Sequence, residues 1–397
     1  MKFFELQKPT AVAPFLLEFL TILGMRGGTG RTRSLRFVCL LLAGWILLGI
    51  PKAYFGFGDQ LDLNIRGYSE LLFLFNIDSK AIIFYMNSAK LEELVELVET
   101  MFGRVTNLSS DALMPKNVLN SNQTLDRIAK NYAIFAGTAG AVFVIFPALH
   151  TIVIYFMNQR KEVEIRKYVT SSVHEQNGIN VEEDIRLYFI HALLIAPVHV
   201  ILGLKLAATD ITIFCGIKSI GSIFRLVSTR LGNLHDFKNV DELRKELKEV
   251  VDIHNDALRC VKILESISSL GVMLQLMNTV IVWVAMVFCV SYSPNMNALN
   301  LLVLLILITS QTFLLCQYGN ELTEESIAVA TEAYNAQWAK LPVDVQKGVG
   351  LILQRAQKWE GITAARFYQV NVERFGAMVH TSYSIYVVLK DRLASKT

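Results

Sequence analysis

An all-α membrane protein with seven transmembrane helices is the fold this chain predicts, on three observations. Of its 397 residues, 53% are hydrophobic and 18% charged, and the mean hydropathy is +0.40. Globular proteins carry about 45–50% apolar and ~25% charged residues, so the excess and the deficit both point to a bilayer. The apolar residues run in long stretches without period-two alternation, which excludes the strands of a membrane barrel. Between them, charged segments repeat apolar positions at helical spacing, as amphipathic helices do where they continue into water. A net charge of +3 is too small to suggest a nucleic-acid partner.

The elements follow in chain order. No secretory leader is read at the start, because Phe15-Leu16-Leu17-Glu18-Phe19-Leu20 is broken by Glu18 and lacks a small-residue cleavage site. Helical spacing there predicts a short interfacial helix. The first span is Leu35–Phe57, with Pro51 near its far end. The second, Tyr68–Met86, holds Asn76, Asp78 and Lys80. A charge at the bilayer centre costs ~2.5–3.5 kcal/mol on insertion scales, so these side chains must face protein or water. A functional role and a structural pair between helices both fit. After Met86 the helix continues, with Leu91, Leu94, Val95, Val98 and Phe102 on one stripe, and Asn107–Asn122 is expected as a loop tip.

The third span, Asp126–Phe156, spaces Gly137 and Gly140 for close helix packing. Met157–Asp184 reads as a long charged loop. The fourth span runs from Ile185 to Phe214 with Pro197 inside, and extends as helix past Arg225. A charged amphipathic segment, Leu234–Lys262, leads into the fifth span, Ile263–Tyr292; the short loop Ser293–Asn297 and the sixth span, Ala298–Tyr318, follow. The last helix, Ala365–Lys390, can cross a bilayer at ~20 residues per ~30 Å. It nonetheless holds Gln369, Asn371, Thr381, Ser382, Ser384 and tyrosines. Such groups line a water path or bind helices together; the residues leave both open.

Basic residues orient the chain. Lys2, Lys8, Arg26, Arg31, Arg33 and Arg36, the basic residues from Arg225 to Lys262, and Lys340, Lys347, Arg355, Lys358 and Arg366 all fall on one side. That side is read as cytoplasmic, placing the N-terminus inside and the C-terminus outside. The sequons at Asn107 and Asn122 then lie inside the cell and go unused. The five cysteines, Cys39, Cys215, Cys260, Cys289 and Cys316, show no paired spacing and read as buried small apolar residues.

No catalytic arrangement is visible. The seven histidines are scattered. His191 and His199, eight apart, could share a helix face, but a metal site needs more ligands nearby. The constellation that stands out is apolar and aromatic: Phe73 and Phe75; Phe143, Ile145 and Phe146; Tyr188, His191 and Ile195; Val280 and Trp283; Leu301 and Leu305. Pockets in helix bundles have such walls with a few polar groups. Taken singly, each residue fits plain core packing or lipid contact better.

The stretch Cys316–Lys390 carries one more signal. Gly319-Asn320-Glu321-Leu322, then Ser326, Ala333-Tyr334, Trp338, Gln354-Arg355, Thr381 and Tyr383-Ser384 stand in an order and spacing that resembles the C-terminal signature of insect odorant receptors. The rest of the chain matches in hydropathy layout alone. The related gustatory receptors close their Thr-Tyr run on Gln-Phe; this run closes on Leu389-Lys390, which favours the odorant branch.

The resemblance implies a subunit of a tetrameric odorant-gated cation channel of the plasma membrane, with no enzymatic activity and no cofactor. Its implied partners are a shared co-receptor subunit, small volatile odorants and membrane lipid. Residues 35–318 would form a six-helix bundle with the odorant pocket among Phe73, Phe75, Phe143, Phe146, Tyr188, His191, Ile195, Val280, Trp283, Leu301 and Leu305. Residues 319–397 would supply a cytoplasmic assembly helix and the pore-lining last helix. Tyr334 and Trp338, four apart on one helix, with Leu351 and Gln354, would sit in the assembly region. Ser382, Ile385, Tyr386 and Leu389 fall at i, i+3, i+4 and i+7, one face of the last helix, with Val388 as the alternative to Leu389. A G-protein-coupled receptor is disfavoured by the missing extracellular cysteine pair and the inverted topology. A transporter is disfavoured by the lack of repeated halves.

Overall fold

The computed structural model describes residues 14–27, 30–57, 61–108, 113–159, 167–168, 170, 181–237, 239–292 and 296–394. The tail up to residue 13, positions 109–112, most of the expected charged loop between Met157 and Asp184, and positions 293–295 of the expected short loop lie outside the described residues. In order, the helices are α1 (Pro14–Ile22), α2 (Gly30–Gly44), α3 (Ile50–Phe55), α4 (Leu61–Met86), α5 (Ser88–Leu108), α6 (Leu113–Gln159), α7 (Ile185–Gly232), α8 (Val240–Tyr292), α9 (Met296–Asn335), α10 (Val343–Ala356) and α11 (Val372–Ala394). A π-helical turn, Trp45–Gly49, joins α2 to α3. The strands β1 (Thr363–Ala364) and β2 (Tyr368–Gln369) form a small antiparallel hairpin before α11.

Among the described residues, five helical segments are long and apolar enough to cross a membrane: Gly30–Tyr54, Gln123–Gln159, Ile185–Asp236, Val240–Ser291 and Leu301–Asn335. α4 and α11, of 26 and 23 residues, have the length but carry more polar side chains. The helical membrane fold expected from the sequence is therefore present, with longer helices than its spans. α7, α8 and α9 continue well past the apolar windows because their outer turns are tied together by ion pairs. Arg225 pairs with Glu325 and Lys218 with Glu321 between α7 and α9, and Arg230 Nε lies 2.7 Å from Glu246 between α7 and α8. Helix ends exposed to lipid could not keep such charges. This charged end of the bundle is also where α5 packs, its Leu91, Leu94, Val98 and Phe102 buried against the main core.

Several boundaries depart from the sequence reading. The expected loop tip Asn107–Asn122 is helical over most of its length, α5 reaching Leu108 and α6 starting at Leu113. α1 does more than lie at an interface: Leu16, Phe19 and Leu20 are buried in the main core. Cys39 is exposed, while Cys215, Cys260, Cys289 and Cys316 are buried. Gly137 and Gly140 bring no helix close, since nothing lies within 4 Å of where their Cβ atoms would stand. The last helix begins at Val372, not Ala365. Ala365 and Arg366 take left-handed backbone, φ 48° and 63°, to turn the hairpin, and Asn371 starts the helix by accepting from Arg374 N at 2.9 Å.

Tyr334 and Trp338 do not share a helix. α9 ends at Asn335, Gln337 has φ 48°, and Trp338 opens a separate 3-10 turn. Tyr334 is exposed, whereas Trp338 packs on the main core. A spacing of four brings side chains together only where the helix is unbroken.

Candidate functional site

α4, α6, α7 and α9 diverge at the end of the bundle away from α10 and line a partly open cavity of about 80 Å³. That is several times the ~10–15 Å³ one enclosed water needs on the same measure. Its wall is made by Phe73, Leu74 and Ile77 of α4, Ala136, Ala139, Gly140 and Phe143 of α6, Leu202, Gly203 and Leu206 of α7, and Val303, Leu304 and Leu307 of α9; Leu48 of the π turn closes one side. Gly140 and Gly203 meet nothing within 4 Å at their Cβ positions, so the missing side chains are part of the open space. The polar wall residues are Lys52, Glu70 and His199. Lys52 pairs with Glu70, which also accepts from Arg66 Nε at 2.9 Å, and all three are buried.

One helical turn from the cavity lies an ionic network that joins five helices. Lys80 of α4 pairs with Asp210 of α7 and donates to Gln275 of α8 at 2.9 Å. Asp210 Oδ2 accepts from Tyr132 of α6 and from Gln311 of α9, both at 2.7 Å. A second buried pair, Asp78–Lys205, again crosses from α4 to α7. The register is simple. Leu206, Ala136 and Leu307 line the cavity, and Asp210, Tyr132 and Gln311 each stand four residues further, one turn on the same face. Ile77 stands three residues before Lys80. The network is the floor of the cavity. Asp78 and Lys80 thus serve as pairs between helices, which was one of the two readings open in the sequence.

The C-terminal signature forms a clasp. Ser326 Oγ accepts from Glu360 N at 3.1 Å, Thr323 Oγ1 accepts from Gln369 Nε2 at 2.7 Å, and Arg355 pairs with Glu360. The hairpin is stitched to α8 by Ala365 N donating to Ser269 O at 3.1 Å and Thr363 Oγ1 donating to Glu265 at 2.5 Å. α10 is tied to α8 by Arg244 and Asp344, 2.7 Å apart. The Arg244 hydrogen bond holds the exposed Asp344 carboxyl below its ordinary range. The clasp leads directly into α11, whose Phe375 stacks edge-on against Trp283 at 5.7 Å and Phe313 at 5.4 Å.

The expected pocket residues distribute unevenly. Phe73 and Phe143 line the cavity. Phe75 points outward, 50% exposed, and Phe146 is half-buried away from the wall. Tyr188 packs with Tyr168 and Val181, and Ile195 with Leu48 and Leu74. His191 is half-buried beyond the wall. Val280 is half-buried on α8, while Trp283 and Leu301 share a cluster with Leu305 against α11. On α11, Ser382 is buried and Tyr386 donates to or accepts from Ser291 at 3.0 Å, so both turn into the subunit. Ile385, Val388 and Leu389 are exposed, as are Tyr334, Leu351 and Gln354 in the segment after the sixth span.

The sequence gives no role to Lys52, Glu70, Asp210, Gln275 or Gln311, and it offers His199 only as a residue that could share a helix face with His191. A usable signal existed: Lys205 and Asp210, opposite charges five apart in the apolar fourth span, mirror Asp78 and Lys80 in the second.

Fold and cavity together define a multi-pass helical membrane protein with a largely apolar cavity above a buried ionic floor. A family model described as 7tm Odorant receptor matches residues 61–383, and the chain belongs to that family. Similar proteins include Odorant receptor 10 of Aedes albopictus, 26% identical over 41% of this chain and 48% of that receptor, so the match spans about half of that relative. Putative odorant receptor 92a of Drosophila melanogaster is 20% identical over 80% of this chain and 76% of its own. The Odorant receptor coreceptor of Aedes aegypti is 25% identical over 40% and 34%. The solved structure of the insect olfactory receptor OR5 from Machilis hrabei in complex with eugenol superposes with a TM-score of 0.76, at 15% identity, over 95% of this chain and 97% of that one. At that identity the likeness establishes the fold.

Proposed function

We propose that the chain is the ligand-tuning subunit of an odorant-gated cation channel in the plasma membrane. The observation that carries this reading is the largely apolar cavity formed by α4, α6, α7 and α9 in a chain of the odorant receptor family. The N-terminus is cytoplasmic on the basic-residue bias, and the chain assembles with a coreceptor, in keeping with the coreceptors among its relatives. Exposed Tyr334, Leu351 and Gln354 supply the assembly face, with Trp338 as a support behind it. The outward face of α11, with Thr381, Ser384, Ile385, Val388 and Leu389, lines the pore, while Ser382 and Tyr386 fix that helix to its own subunit.

A volatile of about ten heavy atoms burying ~250 Å² of apolar surface gains ~6 kcal/mol at ~25 cal/mol/Å², less the cost of association. Affinity is therefore micromolar to millimolar. The ligand must also prefer the open state, because equal affinity for both shifts nothing. Patch clamp of cells expressing this chain with and without a coreceptor, against a volatile panel, is the test. Ligand-evoked cation current in excised patches without nucleotide supports the reading. A current that needs G-protein nucleotide exchange, or a tag before Met1 that stains on intact cells, sinks it.

Two substitutions separate the parts. Gly140→Leu fills the cavity from α6, and is expected to raise the half-maximal concentration of bulky ligands at least tenfold while small ones still act. Val388→Ala is expected to change ion selectivity or basal current and leave the ligand order intact. Reordered ligands in Val388→Ala, or altered selectivity in Gly140→Leu, would place pocket and pore differently.

A further inference from the structure

The cavity wall is apolar except for Lys52, which pairs with Glu70, and His199. His199 Nδ1 lies 3.1 Å from the Ile195 carbonyl, which can only accept, so the proton of the neutral ring sits on Nδ1. Nε2 is left as a bare lone pair, with no hydrogen-bond partner among the described residues, on a side chain that forms part of the cavity wall. The Lys52 ammonium has three donors and spends one on Glu70. The polar part of the cavity wall therefore offers one acceptor and spare donors among otherwise apolar residues.

We propose that the ligand of this cavity is a volatile with an apolar body and a terminal hydroxyl, which donates to His199 Nε2 and accepts from Lys52. A hydroxyl is the smallest neutral group that does both. An ether or ketone of the same size accepts but cannot donate, and covers Nε2 without giving it a partner. An alkane leaves both groups without one. Buried polar groups discriminate strongly against analogues that lack the matching atom. His199 is thereby a specificity-determining residue, and the cavity favours alcohols over their isosteres. This inference rests on reading the cavity as the volatile site.

The test uses the full chain with a coreceptor under whole-cell clamp. Its probes are octan-1-ol, 1-methoxyheptane and nonane, which share nine heavy atoms, with shorter and longer homologues of each. In the wild type the alcohols are expected to act at roughly tenfold lower concentration than the ethers, the net worth of one hydrogen bond. His199→Phe should abolish that ratio while responses to ethers persist. His199→Gln, which keeps an acceptor oxygen, should restore part of it. Cell-surface labelling of each variant separates loss of folding from loss of preference. Ethers or alkanes matching alcohols in the wild type would overturn the inference, as would silent alcohols beside active volatiles of another class, or a ratio unchanged in His199→Phe. Silence to every volatile tried, with the protein at the surface, would instead overturn the reading of the cavity itself.

Discussion

Asp210→Leu is expected to remove most of the protein from the cell surface. Asp210 is 2% exposed and receives three side chains: the Lys80 ammonium, the Tyr132 hydroxyl and the Gln311 amide. Removing one partner of a buried ion pair costs about 3–5 kcal/mol, because the other charge stays buried without compensation. Here that charge is Lys80, 1% exposed, left with only the Gln275 oxygen. Whole proteins are stable by ~5–15 kcal/mol, so the loss is a large share of the total. The paired change Lys80→Met with Asp210→Leu should recover much of it, since replacing both ions with apolar groups is often neutral. Recovery will be partial, because Tyr132 and Gln311 each then lack a partner at ~1–3 kcal/mol. Surface biotinylation and the melting temperature of detergent-solubilised protein measure both variants. Normal surface levels in Asp210→Leu, or a double variant worse than the single one, would show that the network does not hold the bundle together.

On the proposed reading, the network would connect a ligand in the cavity to the rest of the molecule. Leu206, Ala136 and Leu307 line the cavity, and the same helices carry Asp210, Tyr132 and Gln311 one turn away. A ligand that spreads these helices acts directly on a junction of five helices. Beyond it, α8 and α9 run to the clasp and α11.

The helices were legible in the sequence because their apolar runs exceed anything a soluble core needs. Ile185 was placed as the first residue of α7, and Tyr292 as the last of α8, where polarity changes sharply. Charged extensions were visible as apolar stripes at 3.6 spacing, but where they end was not. Polar helix and polar loop look alike by periodicity when both are solvated, as over Asn107–Asn122. The start of α11 was missed because a two-residue hairpin has no periodicity to detect; only the left-handed Ala365 and Arg366 and the Asn371 cap mark it. The cavity was harder still. Its makers are as much absences as residues, with Gly140 and Gly203 facing space. Glycines at i and i+3 in a span read as close packing, and only the neighbouring helix decides between contact and void. Aromatic residues are the more visible signal, and they mislead in part: Trp283 packs against Phe375 of α11, Tyr188 packs with Tyr168, and Phe75 is exposed.

Two glycine-to-alanine substitutions are expected to move stability in opposite directions. At Gly319 in α9, an added Cβ would stand 2.5 Å from the Val370 carbonyl oxygen and 3.4 Å from its Cγ1. Real Cβ atoms do not approach so closely, and the obstacle is backbone, so it cannot rotate away. Val370 is fully buried, and its amide donates to Ile362 O at 3.0 Å, which holds the hairpin shut. Gly319→Ala must therefore push the clasp off α9. Forcing extra volume into packed structure costs about 1–3 kcal/mol and sometimes more, and here the displaced segment leads straight into α11. The expected result is a lower melting temperature together with altered basal current. Gly350 in α10 has nothing within 4 Å of its Cβ position. Alanine there removes backbone freedom from the unfolded chain without a clash, a gain of about 0.5–1 kcal/mol in a helix. Gly350→Ala should accordingly melt higher and conduct normally. Thermal melts and recordings of both variants decide the matter. If Gly319→Ala melts no lower than the parent, the close approach of α9 to the hairpin is not what the signature glycine provides.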